Sequence, residues 1–439
     1  MSRRGIRPAL LGARALLAGL WLVLAPQPSA ARSLEEAVTL PTPLSLAWCS
    51  ERAARLNPDI QESAAMADAV RERVDPAGAF EDPRLAYEAS NIPVGDFDMD
   101  STPLSGHQLG LKQKLPFPGL LSSRRGAAEQ ASQAAGYVLT DARRVVEGAV
   151  EGAWAELGFA QRALEITNRN VELLRQLTKM AETRYSVGSG LQQDVLRAQV
   201  ELTALLQERL EREAAIESAG AHLTALLALP SSTRFPITAP LEDPSPVPAL
   251  EPLYARAEES NARLEALRAE VRSAELAIRS AEIEGYPDVD LGIGYRIRQD
   301  VSGDPVNGDD FVSAGFTIRL PVDRRKWRAR VAERRALLRR AEARQRGHEA
   351  ALLEQLRIIH AELVRADREA ELLRTGLLPQ ALQSLEASRS AYEVGRIEFL
   401  SLLDSQVRLL DAQLREVRAL ADRHRAFGRL ESLVGEDLR

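Results

Sequence analysis

Two periods of apolar residues divide the chain. Between residues 288 and 298, Val289, Leu291, Ile293, Tyr295 and Ile297 alternate with Asp288, Asp290, Gly292, Gly294, Arg296 and Arg298. Val312, Ala314, Phe316, Ile318 and Leu320 alternate in the same way with Ser313, Gly315, Thr317 and Arg319. Leu109, Leu111 and Leu115 do so with Gln108, Lys112 and Lys114, Gln113 being the one fault, and residues 84–89 show a weaker version. A period of two predicts strands with one apolar and one wet face. They are expected at 83–91, 105–115, 288–298 and 311–320. The intervening stretches, with Pro93, Gly95, Asp96, Asp98, Asp100 and Pro103 in the first and Asp300, Asp304, Asp309 and Asp310 in the second, predict polar loops.

Elsewhere the period is helical. Residues 120–187 contain no proline, and a continuous helix of that length would be a rod of roughly 100 Å. Residues 326–394 predict a second long helix, kinked at Pro379. Each is followed by a return helix, 189–229 and 396–427, whose apolar spacing of three and four is that of a coiled-coil seam. Leu191, Val195, Ala198, Leu202 and Leu205 form the first seam; Leu400, Leu403, Val407 and Leu410 form the second. Residues 44–75 read as one helix or two short ones, and residues 252–284 are helical. A Pro-rich linker occupies 230–251, and 428–439 reads as a tail.

The same unit occurs twice. Tyr185, Val187 and Gly188 recur as Tyr392, Val394 and Gly395, 207 residues later, as do Leu196, Gln199 and Leu202 in Leu403, Gln406 and Leu409. Leu115-Pro116 recurs as Leu320-Pro321 after 205 residues. The chain is therefore a duplicated fold, 32–229 and 252–427, with two helical hairpin tips. A glycine between two long helical segments supplies the φ freedom of a tight turn, which singles out Gly188 and Gly395. Pro116, Pro118, Gly119 and Pro321 end the strands and open the long helices, since proline cannot serve an interior ladder.

Composition narrows the class. Of 439 residues 45% are hydrophobic and only 5% aromatic, which favours long helices over a large all-β core. Arg3, Arg4 and Arg7, an apolar run from Ala15 to Ala25 and a small-residue site at Ser29-Ala30-Ala31 predict a cleaved export leader over 1–31. Its loss removes Arg3, Arg4, Arg7 and Arg14 and takes the net charge from −6 to −10, a poor balance for nucleic-acid binding. No later run is long enough for a membrane-spanning helix. Cys49, preceded by Trp48 and far from the leader, reads as an inert helix cysteine rather than a lipidation site. None of the five histidines lies three or four residues from another, so no metal site is expected. No cofactor or catalytic motif is present, and an enzyme is not expected.

Four strands of about ten residues with an apolar face match transmembrane barrel segments, though a soluble half-buried sheet alternates in the same way. Four strands close no barrel, and open edges are not tolerated in lipid, so a membrane reading requires several chains; three would supply twelve strands. The arginines of 324–346, interrupted by Glu333 and Glu342, read as a rim facing phosphate head groups or as a plain wet face.

The duplicated Tyr-x-Val-Gly tips with Asp194-Val195-Leu196 and Leu402-Leu403-Asp404 resemble those of the TolC-like outer-membrane efflux channels, across essentially the whole mature chain. Gln113 to Gly119 is similar to the strand-to-helix junction of the branch that serves heavy-metal and other resistance-nodulation-division pumps. The resemblance implies a homotrimer with a twelve-stranded barrel in outer-membrane lipid and a periplasmic α-barrel. It would be a passive exit duct, without chemistry, for solutes such as metal ions or drugs. Its tips, Gly188, Ser189, Gly190, Gly395 and Arg396, would meet a periplasmic adaptor and, through it, an inner-membrane pump. Asp404 falls where the family often carries an aperture aspartate, although Ser401 stands where a second acid is common; a solvated helix face is the alternative. Tyr392 and Asp194 match positions that link neighbouring tip helices in the closed state, with packing as the alternative. The rival class is a periplasmic adaptor or helical scaffold, which should have one hairpin rather than two of equal rank.

Overall fold

The computed structural model describes residues 39–92, 94–95, 102–241 and 245–439. The expected leader at 1–31, Pro93, Asp96, Asp98 and Asp100 of the first polar loop, and Pro244 of the linker lie outside them. The first repeat runs α1 (Leu46–Leu56), α2 (Pro58–Arg71), α3 (Val74–Gly78), β1 (Arg84–Ser90), β2 (Gly106–Leu115), α4 (Leu120–Ser186) and α5 (Gln192–Leu226). The second runs α6 (Leu250–Ser260), α7 (Ala262–Ile283), β3 (Asp288–Ile297), β4 (Phe311–Arg319), α8 (Arg324–Leu372), a π-helical turn (Leu373–Leu377), α9 (Leu378–Glu393) and α10 (Phe399–Val434).

The repeats share local chemistry as well as order. Asn57 ends α1 and caps α2, its side-chain oxygen accepting from the amides of Asp59 at 2.9 Å and Ile60 at 3.3 Å, with Pro58 at the first helical position. Asn261 separates α6 from α7 and accepts from the Leu264 amide at 2.8 Å. Each asparagine also donates its side-chain N–H to the far end of its own repeat, Asn57 to the Leu226 carbonyl at 3.0 Å and Asn261 to that of Leu433 at 2.8 Å. The short helices are thereby tied to the end of the returning helix in both halves.

The four strands form one antiparallel sheet in the order β1-β2-β3-β4. Its register places Leu85, Leu111, Ile293 and Ala314 in one row and Tyr87, Leu109, Tyr295 and Val312 in the next, so the odd-numbered apolar residues of β1 to β3 and the even-numbered ones of β4 fall on one face. That face is the exposed one: Leu85 is 75% accessible, Ile293 60%, Val312 77% and Phe316 69%. The opposite face carries the polar residues, and in β3 they are the more covered ones, Asp288 being 5% accessible. There Asp288 binds Arg319 at 2.6 Å and Lys114 at 3.6 Å, and Arg296 donates to Gln108 at 3.2 Å. The sheet is inside out by the standard of a water-soluble protein.

The helices repeat the order of the strands: α2 lies against α4, α4 against α7, and α7 against α8. Beyond the middle of the long helices the neighbours are α5, α4, α10 and α9. One apolar core joins the two hairpins near their tips, built from Leu174, Leu177, Leu205, Leu385, Phe399 and Leu402 among others. A second, around Leu253, Leu264, Leu356 and Phe427, fills the middle of the rods. The linker is strapped to the rods by side chains. Gln161 accepts from the Thr238 amide at 2.9 Å and donates to the Pro236 carbonyl at 3.0 Å, while His360 and His424 bind the carbonyls of Pro248 at 2.9 Å and Leu241 at 3.0 Å.

Several expectations change. The last helix continues to Val434, and Gly435, at φ 87°, stops it; the tail expected from residue 428 is helical over most of its length. The second long helix is interrupted by the π-turn that ends two residues before Pro379, where a widened turn accommodates the missing donor. Arg298, expected on the wet face of β3, lies beyond the strand, buried against Asp304 at 2.5 Å and over the Phe311 ring. Asp304 in turn accepts from the amides of Val306 at 3.2 Å and Gly308 at 2.9 Å, so this loop acid is consumed by the loop itself.

Cys49 is fully buried on α1, and burial pushes its thiol up to about 12. At pH 8 only about one thiol in 10,000 is then ionised. The folded protein should resist thiol reagents such as a maleimide, and denaturant should restore labelling of one thiol per chain. Rapid labelling of the native chain would contradict this burial.

Candidate functional site

The two hairpin tips are chemically equivalent turns. At the first, the Gly188 amide donates to the Tyr185 carbonyl at 3.0 Å and the Ser189 amide to that of Arg184 at 2.9 Å. At the second, Gly395 donates to Tyr392 at 3.0 Å and Arg396 to Ala391 at 2.8 Å. This is the paired pattern that closes a helix on a left-handed residue, and the φ values of 76° at Gly188 and 74° at Gly395 meet it. Gly190 is constrained differently: a Cβ there would stand 3.0 Å from the Tyr185 nitrogen.

Their surroundings differ. Tyr392 is 2% accessible, whereas its counterpart Tyr185 is 48% accessible; Leu403 is 8% and Leu196 54%. For the leucines the cause is position, because α10, which carries Leu403, packs on α4 in the middle of the four rods while α5, which carries Leu196, stands at one side; Tyr392, on α9, has Phe399 and Arg184 against its ring. Tyr392 meets Phe399 edge-on at 5.4 Å, and its hydroxyl is buried with no hydrogen-bond partner among the described residues. Burial, and secondarily the negative charge of Asp194, pushes its phenol above the usual range. Asp194 is therefore near Tyr392 without being bonded to it.

Arg184, which the sequence pattern did not single out, holds the two tips together. Its guanidinium donates to the carbonyls of Tyr392 and, at 3.1 Å, Glu393 at the end of α9. It also donates to the Ser189 carbonyl at 3.1 Å and lies 4.8 Å over the Tyr392 ring. One cation thus binds the carbonyl end of α9 and the turn that follows α4. The available signal was an arginine in the last turn before a tip glycine, with Ala391 at the equivalent place in the second copy.

Asp404 is exposed on α10 and pairs with Arg408 at 2.8 Å; two turns on, Asp411 pairs with Arg415 at 3.0 Å. These residues and Ser401 share a face turned away from the protomer's own core. Beneath it lies a buried polar contact, Gln406 donating to Asn170 at 3.2 Å. Asp404 is thus on an outward face, and Tyr392 and Asp194 sit together some distance inward of it; the structure does not bring the three into one cluster.

The strand-to-helix junction is at the other end of the rods. Gly119 caps α4 at φ 92°, and Phe117 between Pro116 and Pro118 stacks on Tyr286 at 4.7 Å. Pro321 leads into Asp323, which caps α8 by accepting from Arg325 at 3.1 Å and Lys326 at 3.3 Å. Trp327 follows, with Arg319, Lys326 and Arg330 over its ring. Tyr87, His107 and Tyr295 lie at the opposite end of the sheet, so aromatic residues flank its apolar face on both sides. No helix is long and apolar enough to cross a membrane, and no group of three potential metal ligands is gathered among the described residues.

A family profile described as outer membrane efflux protein matches residues 49–229 and 253–436, both repeats. The chain is 24% identical over 318 residues to the cobalt-zinc-cadmium resistance protein CzcC of Cupriavidus metallidurans, a match covering 72% of this chain and 74% of that protein. Among solved structures it resembles CusC, with a TM-score of 0.77 at 14% identity over 89% of this chain and 92% of that one. It also resembles the outer membrane protein VceC of Vibrio cholerae, with a TM-score of 0.74 at 19% identity over 90% and 97%. The open-state MtrE outer membrane channel of Neisseria gonorrhoeae gives 0.72 at 16% identity over 90% and 89%.

Replacing Arg184 by Ala removes its bonds to helix-end carbonyls at a cost of about 2 kcal/mol, hence roughly 30-fold faster amide exchange at the second tip. Arg184→Lys should recover only part, because one ammonium cannot span the same fork of acceptors. Unchanged exchange in Arg184→Ala would show that the tips hold together without it.

Proposed function

The chain belongs to the outer membrane efflux protein family, and from that premise we propose that three copies form the exit duct of a tripartite efflux system. The observation that carries this is the exposed apolar face of the sheet in a chain none of whose described helices is long and apolar enough to cross a bilayer. A face of Leu, Ile, Val and Phe side chains turned outward is favourable against lipid and costly against water. The backbone edges of β1 and β4 are unpaired in one chain, and lipid offers them no partner. Pairing β4 of one copy with β1 of the next satisfies both, and three copies give twelve strands around a wet lumen lined by Gln108, Lys112, Asp290 and Arg296.

The rods continue this cylinder into the periplasm. Their tips, with Gly188, Ser189, Gly190, Gly395 and Arg396 at the turns, are the part free to meet an adaptor that couples the duct to an inner-membrane pump. Asp404, with Arg408 beside it, would ring the narrow end, where three carboxylates about one axis favour cations. The buried, unpartnered Tyr392 hydroxyl next to Asp194 is the group that a hydrogen bond between tip helices would use in a closed state. The duct itself performs no reaction. CzcC is named for cobalt, zinc and cadmium resistance, which makes divalent metal ions the first solutes to test.

The protein should fractionate with the outer membrane and, in mild detergent, show the mass of a trimer by light scattering. In planar bilayers it should conduct ions, and Asp404→Ala should raise conductance and shift selectivity from cations toward anions. A water-soluble monomer would overturn the duct. A conducting trimer insensitive to Asp404→Ala would leave the duct standing and make Asp404 part of a solvated face.

A further inference from the structure

The duplication lets one contact inside the chain stand as a template for a contact between chains. Within the chain, the long helix α4 of the first repeat packs against the short helix α7 of the second. Ser280 and Ser123 share a hydrogen bond of 2.9 Å, Arg272 donates to Gln130 at 2.7 Å, and a Cβ on Gly126 would stand 3.3 Å from Leu276. Further along, burial raises the pKa of Asp141 and the charge of Arg263 opposes the rise, so these two are also neighbours. The corresponding helices of the other pairing are α8 and α2, the two ends of the row α2, α4, α7, α8. Each has one side covered within the chain and the opposite side open.

The offsets between repeats translate the template. Asn57 and Pro83 recur as Asn261 and Pro287, 204 residues on, which relates α2 to α7. For the long helices the offset is 206, because buried Val146, Val150, Ala153 and Leu157 then fall on buried Leu352, Leu356, Ile359 and Leu363. The π-turn adds the residue that makes it 207 at the tips. On this translation Ser123, Gly126, Gln130 and Asp141 become Ala329, Ala332, Ala336 and Gly347. Ser280, Leu276, Arg272 and Arg263 become Pro76, Glu72, Asp68 and Asp59.

What stands at the translated positions is complementary. Ala329, Ala332, Ala336 and Gly347 are exposed and form a ridge of small residues on which another helix can approach closely. Arg328, Arg339, Arg340 and Arg346 flank the ridge and make no ion pair among the described residues. Residues 324–346 hold eleven basic and two acidic side chains in a chain whose net charge is negative. At the other end of the row, α2 carries Asp59, Glu62 and Asp68, with Glu72 just beyond it; Asp59, Glu62 and Glu72 make no ion pair among the described residues. The partner so described is acidic, helical and already encoded in the chain.

We propose that the α8 ridge seats the α2 helix of a second copy of this chain, Ala332 against the partner's Glu72 and Ala336 against the partner's Asp68, with the flanking arginines closing over the acidic side chains. The proposal rests on the trimeric reading above and adds its contact surface, register and electrostatic character. A seam of opposite charges also specifies direction, because α8 against α8 or α2 against α2 would set like charges together.

The test uses the full chain extracted in mild detergent. Ala332→Cys combined with Glu72→Cys should, on oxidation, give covalent dimers and trimers on a non-reducing denaturing gel, while either substitution alone should not. Cys49 is buried and does not compete. Separately, Arg340→Glu with Arg346→Glu should cause loss of trimer in dilute detergent, and adding Glu62→Arg with Asp59→Arg should restore it. A trimeric mass with no cross-link and no effect of charge reversal would overturn this seam while leaving the trimer intact. A monomeric mass for the unmodified chain would overturn both. Unchanged trimers that lose co-purifying anionic lipid on charge reversal would assign the arginines to phosphate head groups, and would also overturn the seam.

Discussion

A backbone N–H or C=O in lipid has no water to bind, so a sheet that turns its apolar face outward must leave no edge open. Most of this molecule follows from that constraint. Apolar residues on alternate positions are driven out and polar ones in, and within a single chain the sheet ends at two unpaired strands. Duplication meets the constraint economically: each repeat supplies two strands and a long helix with its shorter companions, in one fixed order. Because α2, α4, α7 and α8 follow the order of β1 to β4, the open edges of the helical layer and of the sheet coincide. In the proposed trimer, closure of one would close the other, and the in-chain seam between the repeats would be a sample of the seam between copies.

The two copies have nevertheless diverged where their surroundings differ. In the row of rods near the tips, α10 has neighbours on both sides whereas α5 is exposed on one, so equivalent positions carry opposite burdens: Gln406 is buried and bonded to Asn170 while Gln199 is exposed. Arg184 has Ala391 as its counterpart, because only the first tip has the second beside it in the same chain. Gly119 caps one long helix through a positive φ, and Asp323 caps the other through its carboxylate. The π-turn before Pro379 is a third difference, an added residue in a helix that could not otherwise pass a proline without losing a bond.

Much of this was legible in the residues. The period of two survives in the fold because the register sets the odd residues of β1 to β3 beside the even residues of β4 on one face, and the glycines of the tips are required by their φ values. What escaped was of two kinds. One signal was local and passed over: Gly435, which stops α10 well past the expected end. Others depend on tertiary position: nothing near Arg298 in sequence shows that Asp304 will fold back to bury it, or that Arg184 will reach residues about 208 positions away. The site was legible as turns and exposed acids, and illegible as a network.

Reconstitution into lipid vesicles offers the most direct measurement of the central claim, that the apolar face of the sheet meets lipid. Nitroxide labels would be placed singly by cysteine substitution at Leu291, Ile293 and Phe316 and, for contrast, at Gly292, Ser313 and Thr317. Their collision rates with oxygen, which partitions into lipid, and with a water-soluble nickel chelate would then be compared. The account predicts that the first three favour oxygen and the second three the chelate, alternating residue by residue along β3 and β4. Equal exposure of both sets to the chelate would mean an ordinary sheet in water, and would contradict the membrane duct at its foundation.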